Sequence, residues 1–331
     1  MKKSLFACHS VPPIGVSIAI AAMVFTGTAT AQHYPTKPVR MVAPFAAGGG
    51  ADLAARRLSE RLSNSWKQPV VVHNIAGGAG NVAAVAVAAG EADGYTLFFV
   101  TLPIFVTNPL IYSKLPFDPD RDFTPVILVS ETPHILVVSA ASTMHKLSDL
   151  ITLAKARPGK LHFGSGGQGT SLHLAGERLK SVTGIDIVHV TYKGAAPAIT
   201  AMLGDEIQML FDNSSAALGH IRGGRVRGLA IANKARATAL PDVPTFDENG
   251  IADFYSGIPN GIYVRAGTPA AIVAAINRTI NKVFEEADFK KQHAAIGTIL
   301  LGGTPQQLTA YVVAERKKWQ PIIEKQGIKA Y

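Results

Sequence analysis

The chain has 331 residues, of which 47% are hydrophobic and 17% are charged, and its formal net charge is +9. A composition this apolar excludes an intrinsically disordered protein, and the length suffices for two ordinary domains. The positive charges are scattered, and even the densest group, at 222–227, has no interleaved aromatic residues. We therefore expect no nucleic-acid partner, whereas a mild preference for anionic ligands fits the charge.

The first 31 residues have the pattern of a secretory signal peptide. Lys2 and Lys3 form a short positive region, an apolar run rich in small residues follows at 14–25, and Ala29-Thr30-Ala31 matches a cleavage site. We expect cleavage after Ala31 and export to the periplasm. A membrane anchor is the alternative because the run approaches spanning length, but glycine and hydroxylated residues dilute it and no basic stop follows.

Cleavage at that position removes Cys8, which is the one cysteine of the chain. The mature protein would then have no disulfide, no thiol nucleophile and no thiolate metal site. None of the ten histidines forms a pair at helical ligand spacing with a nearby carboxylate. The sequence therefore predicts neither a metal nor a cofactor.

Strand and helix patterns alternate after the leader. Apolar strands are predicted at 39–44, 70–74 and 95–101, with a helix at 51–62 and an alanine-rich helix that ends at Gly90. This βαβαβ order predicts a parallel sheet with helices on both faces.

Two apolar runs, at 126–130 and 135–139, precede a second round of the same pattern. The helices of this round are predicted at 147–156, 171–182 and 195–203, and its strands at 160–163, 185–192, 207–212 and 225–232. Two long helices close the chain, each opened by Gly-Thr-Pro, in which threonine caps and proline occupies the first turn. Two such rounds predict two α/β lobes whose strands end at a shared cleft.

A glycine-rich loop lies in the stretch FGSGGQGTSLHLAG at 163–176. It does not match a P-loop, because Thr170 stands where the phosphate-binding lysine is needed. It matches the dinucleotide spacing GxGxxG, but exported proteins rarely meet free dinucleotides and Asp186 is only loosely placed for the ribose. A serine hydrolase built on Ser171 is a further alternative, although His173 stands where a nucleophile elbow needs a small residue.

The same loop has the features of an anion-binding site. Backbone N–H groups at a helix start, with the positive end of the helix dipole behind them, bind carboxylates or phosphates. Ser165, Thr170 and Ser171 add hydroxyl donors. The segment PFAAGGGAD at 44–52 is the equivalent loop of the first round, so two such loops would suit a ligand with an anionic group at each end.

Seven segments, in order along the chain after the leader, resemble the Bug family, the extracytoplasmic solute receptors of tripartite tricarboxylate transporters. They are YPTKPVR at 34–40, PFAAGGGAD at 44–52, DGYTL at 93–97, LPFDP at 115–119, HVTYKG at 189–194, FDN at 211–213 and LPDVPT at 240–245. The resemblance covers essentially the whole mature chain.

The resemblance implies an α/β fold of two lobes, a type II-like Venus flytrap with its ligand in the interlobe cleft. Lobe 1 would comprise 32–136 plus 254–331, and lobe 2 would comprise 137–253. The implied function is that of a non-enzymatic periplasmic receptor, a monomer that delivers a small carboxylate to a membrane permease. That carboxylate would be a di- or tricarboxylate, an acidic amino acid or an aromatic acid. A receptor that reports to a membrane signalling protein is the alternative.

The resemblance also implies a ligand shell drawn from the glycine loops and strand ends. Its members are Phe45, Ala46, Gly49, Thr101, Gly164, Ser165, Gly169, Thr170, Ser171, Gly194 and Asp212. Two acidic residues have two interpretations each: Asp52 and Asp212 either contact the ligand or cap a helix. The chain departs from the family pattern at 74–76, which lacks Arg-Pro, and at 256–260, which replaces an aromatic-bearing segment.

Overall fold

A computed structural model of the chain describes residues 34–45, 47, 50–192 and 195–329. The signal peptide predicted at 1–31 lies outside these residues. From Tyr34 onward the chain clusters into one unit by its internal contacts. Among the described helices, none combines the length and apolar character that a membrane span requires.

Three parallel strands begin the first part of the sheet, as the sequence predicts. Strand β1 (Val39–Ala43) lies between β2 (Val70–Asn74) and β3 (Thr96–Thr101). The chain then adds antiparallel pairings that the sequence did not predict. Strand β3 pairs with β9 (Gly257–Arg265), which pairs with the first part of the long strand β4 (Phe123–Ser139), and β10 (Ile299–Gly302) also pairs with β4.

Helices cover both faces of this first part. They are α1 (Gly50–Trp66), α2 (Asn81–Ala88), α3 (Pro103–Val106), α4 (Asn108–Ile111), α9 (Ala270–Glu285), α10 (Ala287–Ala295) and α11 (Pro305–Lys325). Met41 packs in the apolar cluster that includes α1, α9 and α10, whereas Val42 packs in the one that includes α2, α3 and α11. Adjacent strand residues point to opposite faces, so the two clusters lie on the two sides of the sheet.

The second part of the sheet repeats this arrangement. Strands β5 (Leu161–Ser165), β6 (Ile187–Thr191) and β7 (Met209–Asn213) are parallel, and β7 and β8 (Val226–Ile231) pair antiparallel with the second part of β4. Four helices pack on its two faces. They are α5 (Leu147–Ala156), α6 (Ser171–Thr183), α7 (Ala195–Leu203) and α8 (Ser214–Arg222).

Strand β4 belongs to both parts of the sheet. The sequence predicted two separate runs, but the structure has one strand of 17 residues that passes through Pro133. Its partner changes from β9 at Pro133 to β7 at His134. The ends of β3 and β7 lie next to this change of partner, because Thr101 pairs with Asn260 and Asn213 pairs with His134. The carboxyl ends of both parallel sets therefore face the middle of β4, and the lobe boundaries at 137 and 254 stay a prediction.

Candidate functional site

A cavity of about 440 Å³ lies where these strand ends meet the middle of β4. Residues from both parts of the sheet line it, among them Phe45 after β1, Thr101 at the end of β3 and Asn213 at the end of β7. In open α/β sheets ligands bind beyond the carboxyl ends of the strands. The cavity is in that position and is our candidate site.

Two helices begin at this cavity, one from each part of the sheet. Gly50 and Ala51 open α1, and Ser215 and Ala216 stand in the first turn of α8; all four line the cavity. The first N–H groups of a helix have no partner within it, and the helix dipole places a partial positive charge there. Two such termini facing one cavity favour an anionic ligand.

Hydroxyl and amide groups form the part of the lining that belongs to β4 and β9. Ser130 and Thr132 lie on β4, and Asn260 lies on β9. Asn260 donates from Nδ2 to Ser130 Oγ over 3.4 Å, and Thr132 Oγ1 lies 3.1 Å from Oγ1 of Thr298. Apart from the apolar Ile258 of β9, this surface is polar and hydrogen-bonded internally, and it carries no formal charge.

The charge of the site comes from Arg57, which lines the cavity on α1. Among the described lining residues there is no aspartate or glutamate. His293 of α10 also lines the cavity, and burial together with the Arg57 guanidinium lowers its pKa from the usual value near 6.5. The imidazole is therefore neutral at neutral pH, and the guanidinium and the two helix termini give the site a positive potential.

Of the residues expected in the ligand shell, Phe45 and Thr101 line this cavity. Ala46, Gly49 and Gly194 lie outside the described residues. The five positions of the second glycine loop, Gly164, Ser165, Gly169, Thr170 and Ser171, do not border it. Their contact with a ligand stays a prediction.

Hydrogen bonds within the second glycine loop engage several of its polar groups. Thr170 Oγ1 donates to Gly167 O over 2.8 Å and accepts from the N–H of His173, which makes Thr170 the N-cap of α6. The N–H of Gly169 donates to His173 Nδ1 over 3.0 Å. Ser165 Oγ donates to Gly167 O and lies 2.7 Å from His189 Nε2. These bonds fix the shape of the loop.

Gly164 and Ser171 have packing roles. A Cβ on Gly164 would lie 2.4 Å from Cδ1 of Ile207, so a larger residue at this strand position would require that side chain to move. Ser171 borders a space of about 10 Å³ beside Pro103 and Trp319. Within the described parts of the chain no histidine is in hydrogen-bond contact with Ser171 Oγ. The geometry gives no support to the serine hydrolase.

The two acidic residues differ in their surroundings. Asp52, buried in the first turn of α1, accepts from Arg56 Nε over 3.0 Å and from Asn74 Nδ2 over 2.9 Å. Asp212 is 1% exposed and does not line the cavity. Its Oδ1 accepts the N–H of Asn213, whereas Oδ2 has no partner in the structure described. Burial raises the pKa of Asp212 from 3.8 to about 6.

Sequence reasoning missed most of the cavity lining. Arg57, Ser130, Thr132, Asn213, Ser215, Asn260, His293 and Thr298 were not proposed as ligand residues. One available signal was the pair Asn213-Ser214 directly after an apolar strand, a helix-start pattern that predicts α8. The residues of β4 and β9 had no local signal, since their position depends on long-range antiparallel pairing.

Solved structures with this architecture define its class. The chain superposes on Rpa4515 of R. palustris, solved with adipate, with a TM-score of 0.80 and 34% identity, over 89% of this chain and 99% of that one. MatC of Rhodopseudomonas palustris, with bound malate, gives 0.74 and 28% over 88% of this chain and all of that one. The fold is therefore that of the two-lobed α/β periplasmic binding proteins.

Residues 54–328 match the TctC model, described as the tripartite tricarboxylate transporter family receptor. The chain is 34% identical to protein BugT of Bordetella pertussis over 318 residues, which are 96% of this chain and 97% of BugT. A UPF0065 protein from the tcbD-tcbE intergenic region of Pseudomonas sp. is 33% identical over 96% of both chains. The chain belongs to the TctC family of periplasmic receptors, which confirms the resemblance seen in the sequence.

Proposed function

We propose that this chain is an exported, periplasmic solute-binding protein that captures a small carboxylate and delivers it to the permease of a tripartite tricarboxylate transporter. The observation that carries the proposal is the charge of the cavity. Arg57 and the first turns of α1 and α8 line it, and no described lining residue carries a negative charge. A carboxylate in this position meets favourable charge from both parts of the sheet.

Similarity to receptors with known ligands supports a carboxylate rather than another anion. Rpa4515 was solved with adipate and MatC with bound malate, and both ligands are small dicarboxylates. Hydrogen bonds to a charged group contribute about 1.5–3 kcal/mol each. Three or four of them therefore approach the roughly 8 kcal/mol of a micromolar complex before ordering costs are subtracted.

Closure of two lobes is the mechanism we propose for capture. Helix α1 belongs to the lobe at 32–136 plus 254–331, and α8 belongs to the lobe at 137–253. A ligand that contacts both helix starts binds the closed arrangement better than the open one, and it shifts the equilibrium by that difference in affinity. The loop at 164–171 would contribute to the rim of the closed site.

Calorimetry tests this function with di- and tricarboxylates, acidic amino acids and aromatic acids, on protein freed of any ligand carried through purification. Arg57→Gln should weaken binding by tenfold or more, since it removes the cation of the cavity. Arg278→Gln is the matched control. It removes the same charge, but Arg278 borders a separate groove with Thr124 and Pro305.

Failure of every acid in the panel to bind would contradict the proposal. An equal loss of affinity in Arg57→Gln and Arg278→Gln would contradict it as well. Delivery is tested separately by uptake of the bound acid in a strain that lacks this chain. Loss of uptake supports a transport receptor, and unchanged uptake would favour the sensor alternative.

A further inference from the structure

His293 differs from the other polar residues of the cavity wall. It lies near the end of α10 and is 4% exposed. Its Nδ1 is 2.9 Å from the carbonyl oxygen of Phe289, one helical turn earlier. A carbonyl oxygen only accepts hydrogen bonds, so Nδ1 carries the ring proton and Nε2 of the neutral ring has a free lone pair.

This nitrogen is accessible from a cavity. Nε2 of His134, a more deeply buried histidine, has neither solvent contact nor a hydrogen-bond partner, whereas Nε2 of His293 keeps contact with the space around it. It has no hydrogen-bond partner among the described residues, and His293 borders both the candidate site and a neighbouring cavity of about 420 Å³. The ring that carries this free acceptor therefore lies at the wall between the candidate site and the neighbouring cavity.

An acceptor in this position selects among anionic ligands. A carboxylate oxygen brings a second lone pair and is repelled by Nε2, whereas a hydroxyl donates to it. An ammonium group also donates, but it would stand near Arg57 in a cavity whose described lining holds no carboxylate. A neutral hydroxyl is thus the group that matches both the acceptor and the positive surroundings.

We infer that His293 is a specificity-determining residue that accepts a hydrogen bond from a hydroxyl group of the bound acid. Hydroxylated carboxylates then bind more tightly than acids of the same chain length without the hydroxyl, and more tightly than their amino counterparts. This inference rests on the proposed carboxylate function of the same cavity.

Calorimetry with matched acids tests it. The pairs are succinate with malate and glutarate with 2-hydroxyglutarate, each hydroxy acid as both enantiomers, with aspartate and glutamate as the amino counterparts. The better enantiomer should bind the wild type about tenfold more tightly than the plain acid, the effect of one hydrogen bond in a closed site. His293→Phe keeps a planar ring without the acceptor and should bring this ratio close to one.

Two controls separate specificity from folding. His293→Phe should still bind the plain acid measurably, which shows a folded protein with a cavity. His293→Gln, whose amide oxygen can accept, should retain part of the ratio. A wild-type ratio of one in both pairs overturns the inference even if the phenylalanine variant does not fold, and so does a ratio that survives in that variant. Both results contradict the inference but not the proposed binding of a carboxylate. If no acid binds, the proposed function is contradicted as well.

Discussion

The buried carboxyl group of Asp212 makes a contribution to the free energy of unfolding that depends on pH. It is 1% exposed, one of its oxygens has no partner in the described structure, and its pKa is raised from 3.8 to about 6 by burial. Because the raised pKa belongs to the folded state, folding takes up a proton between these two values. The contribution of Asp212 to stability therefore becomes less favourable as pH rises through that window.

Asp212→Asn should remove this dependence, since asparagine has the shape of the protonated acid and its Oδ1 can still accept from Asn213. The free energy of unfolding of the variant minus that of the wild type should grow by about 2 kcal/mol between pH about 4.5 and about 8, at about 1.4 kcal/mol per pKa unit. Urea unfolding of the ligand-free proteins at both pH values measures it. A difference that does not change with pH would show that Asp212 is ionised at little cost.

At the residue scale, the two expected ligand residues that line the cavity lie at or just after the ends of parallel strands. Thr101 ends β3 and Phe45 stands two residues after the end of β1, and such positions face the cleft in this type of sheet. Arg57 lies two turns into α1. It reaches the cavity because residues 50, 54 and 57 are spaced along one face of the helix. His293 comes from a helix more than two hundred residues later, and no local pattern connects it with the site.

At the scale of elements, α6 packs against β5 at one point that has no room for a side chain. A Cβ on Gly176 of α6 would lie 2.1 Å from the ring of Phe163 on β5, whereas nothing lies within 4 Å of the same position on Gly219 of α8. The two glycines are both within helices, so they form a matched pair that separates packing from helix propensity.

Gly176→Ala should lower the free energy of unfolding by about 1–3 kcal/mol, because it forces the ring or the helix to move. Gly219→Ala should raise it by roughly 0.5–1 kcal/mol, since alanine favours a helix and meets no neighbour. Chemical denaturation of both variants beside the wild type gives the comparison. Stabilisation by both substitutions would show that the contact with Phe163 relaxes without cost.

The elements that the sequence missed share a physical cause. Strand β9 contains Gly257, Pro259 and Gly261, residues that weaken a local strand pattern, and its strand conformation comes from pairing with β3 and β4 on both sides. Pro133 likewise divides β4 into two apparent runs, although the strand continues through it with shifts of register elsewhere. The parallel strands β1, β2 and β3 were predicted because each is a short apolar run between turn signals.

At the scale of the whole molecule, the two-lobed fold predicts a change of shape on binding. A saturating carboxylate should lower the radius of gyration in small-angle X-ray scattering, because a ligand between α1 and α8 favours the closed arrangement. At an acid concentration between the two dissociation constants, Arg57→Gln should show a smaller decrease in the radius of gyration than the wild type does at that concentration. Binding by calorimetry without any change in scattering would mean that the acid binds a preformed closed state.

Strand β4 has a consequence for the order in which recognition takes place. Ser130 and Thr132 lie on the one strand that both parts of the sheet share, close to the point where its partner changes. If the proposed closure pivots near this point, these two side chains would move least, and they would meet an incoming solute in the same geometry before and after closing. In the proposed division into two lobes, Arg57 and Ser215 belong to opposite lobes, so they would contact the solute together only after closure. In this proposal the solute contacts the residues near the pivot before both lobes bind it, so substitutions of Ser130 or Thr132 should change which solutes bind more than they change the extent of closure.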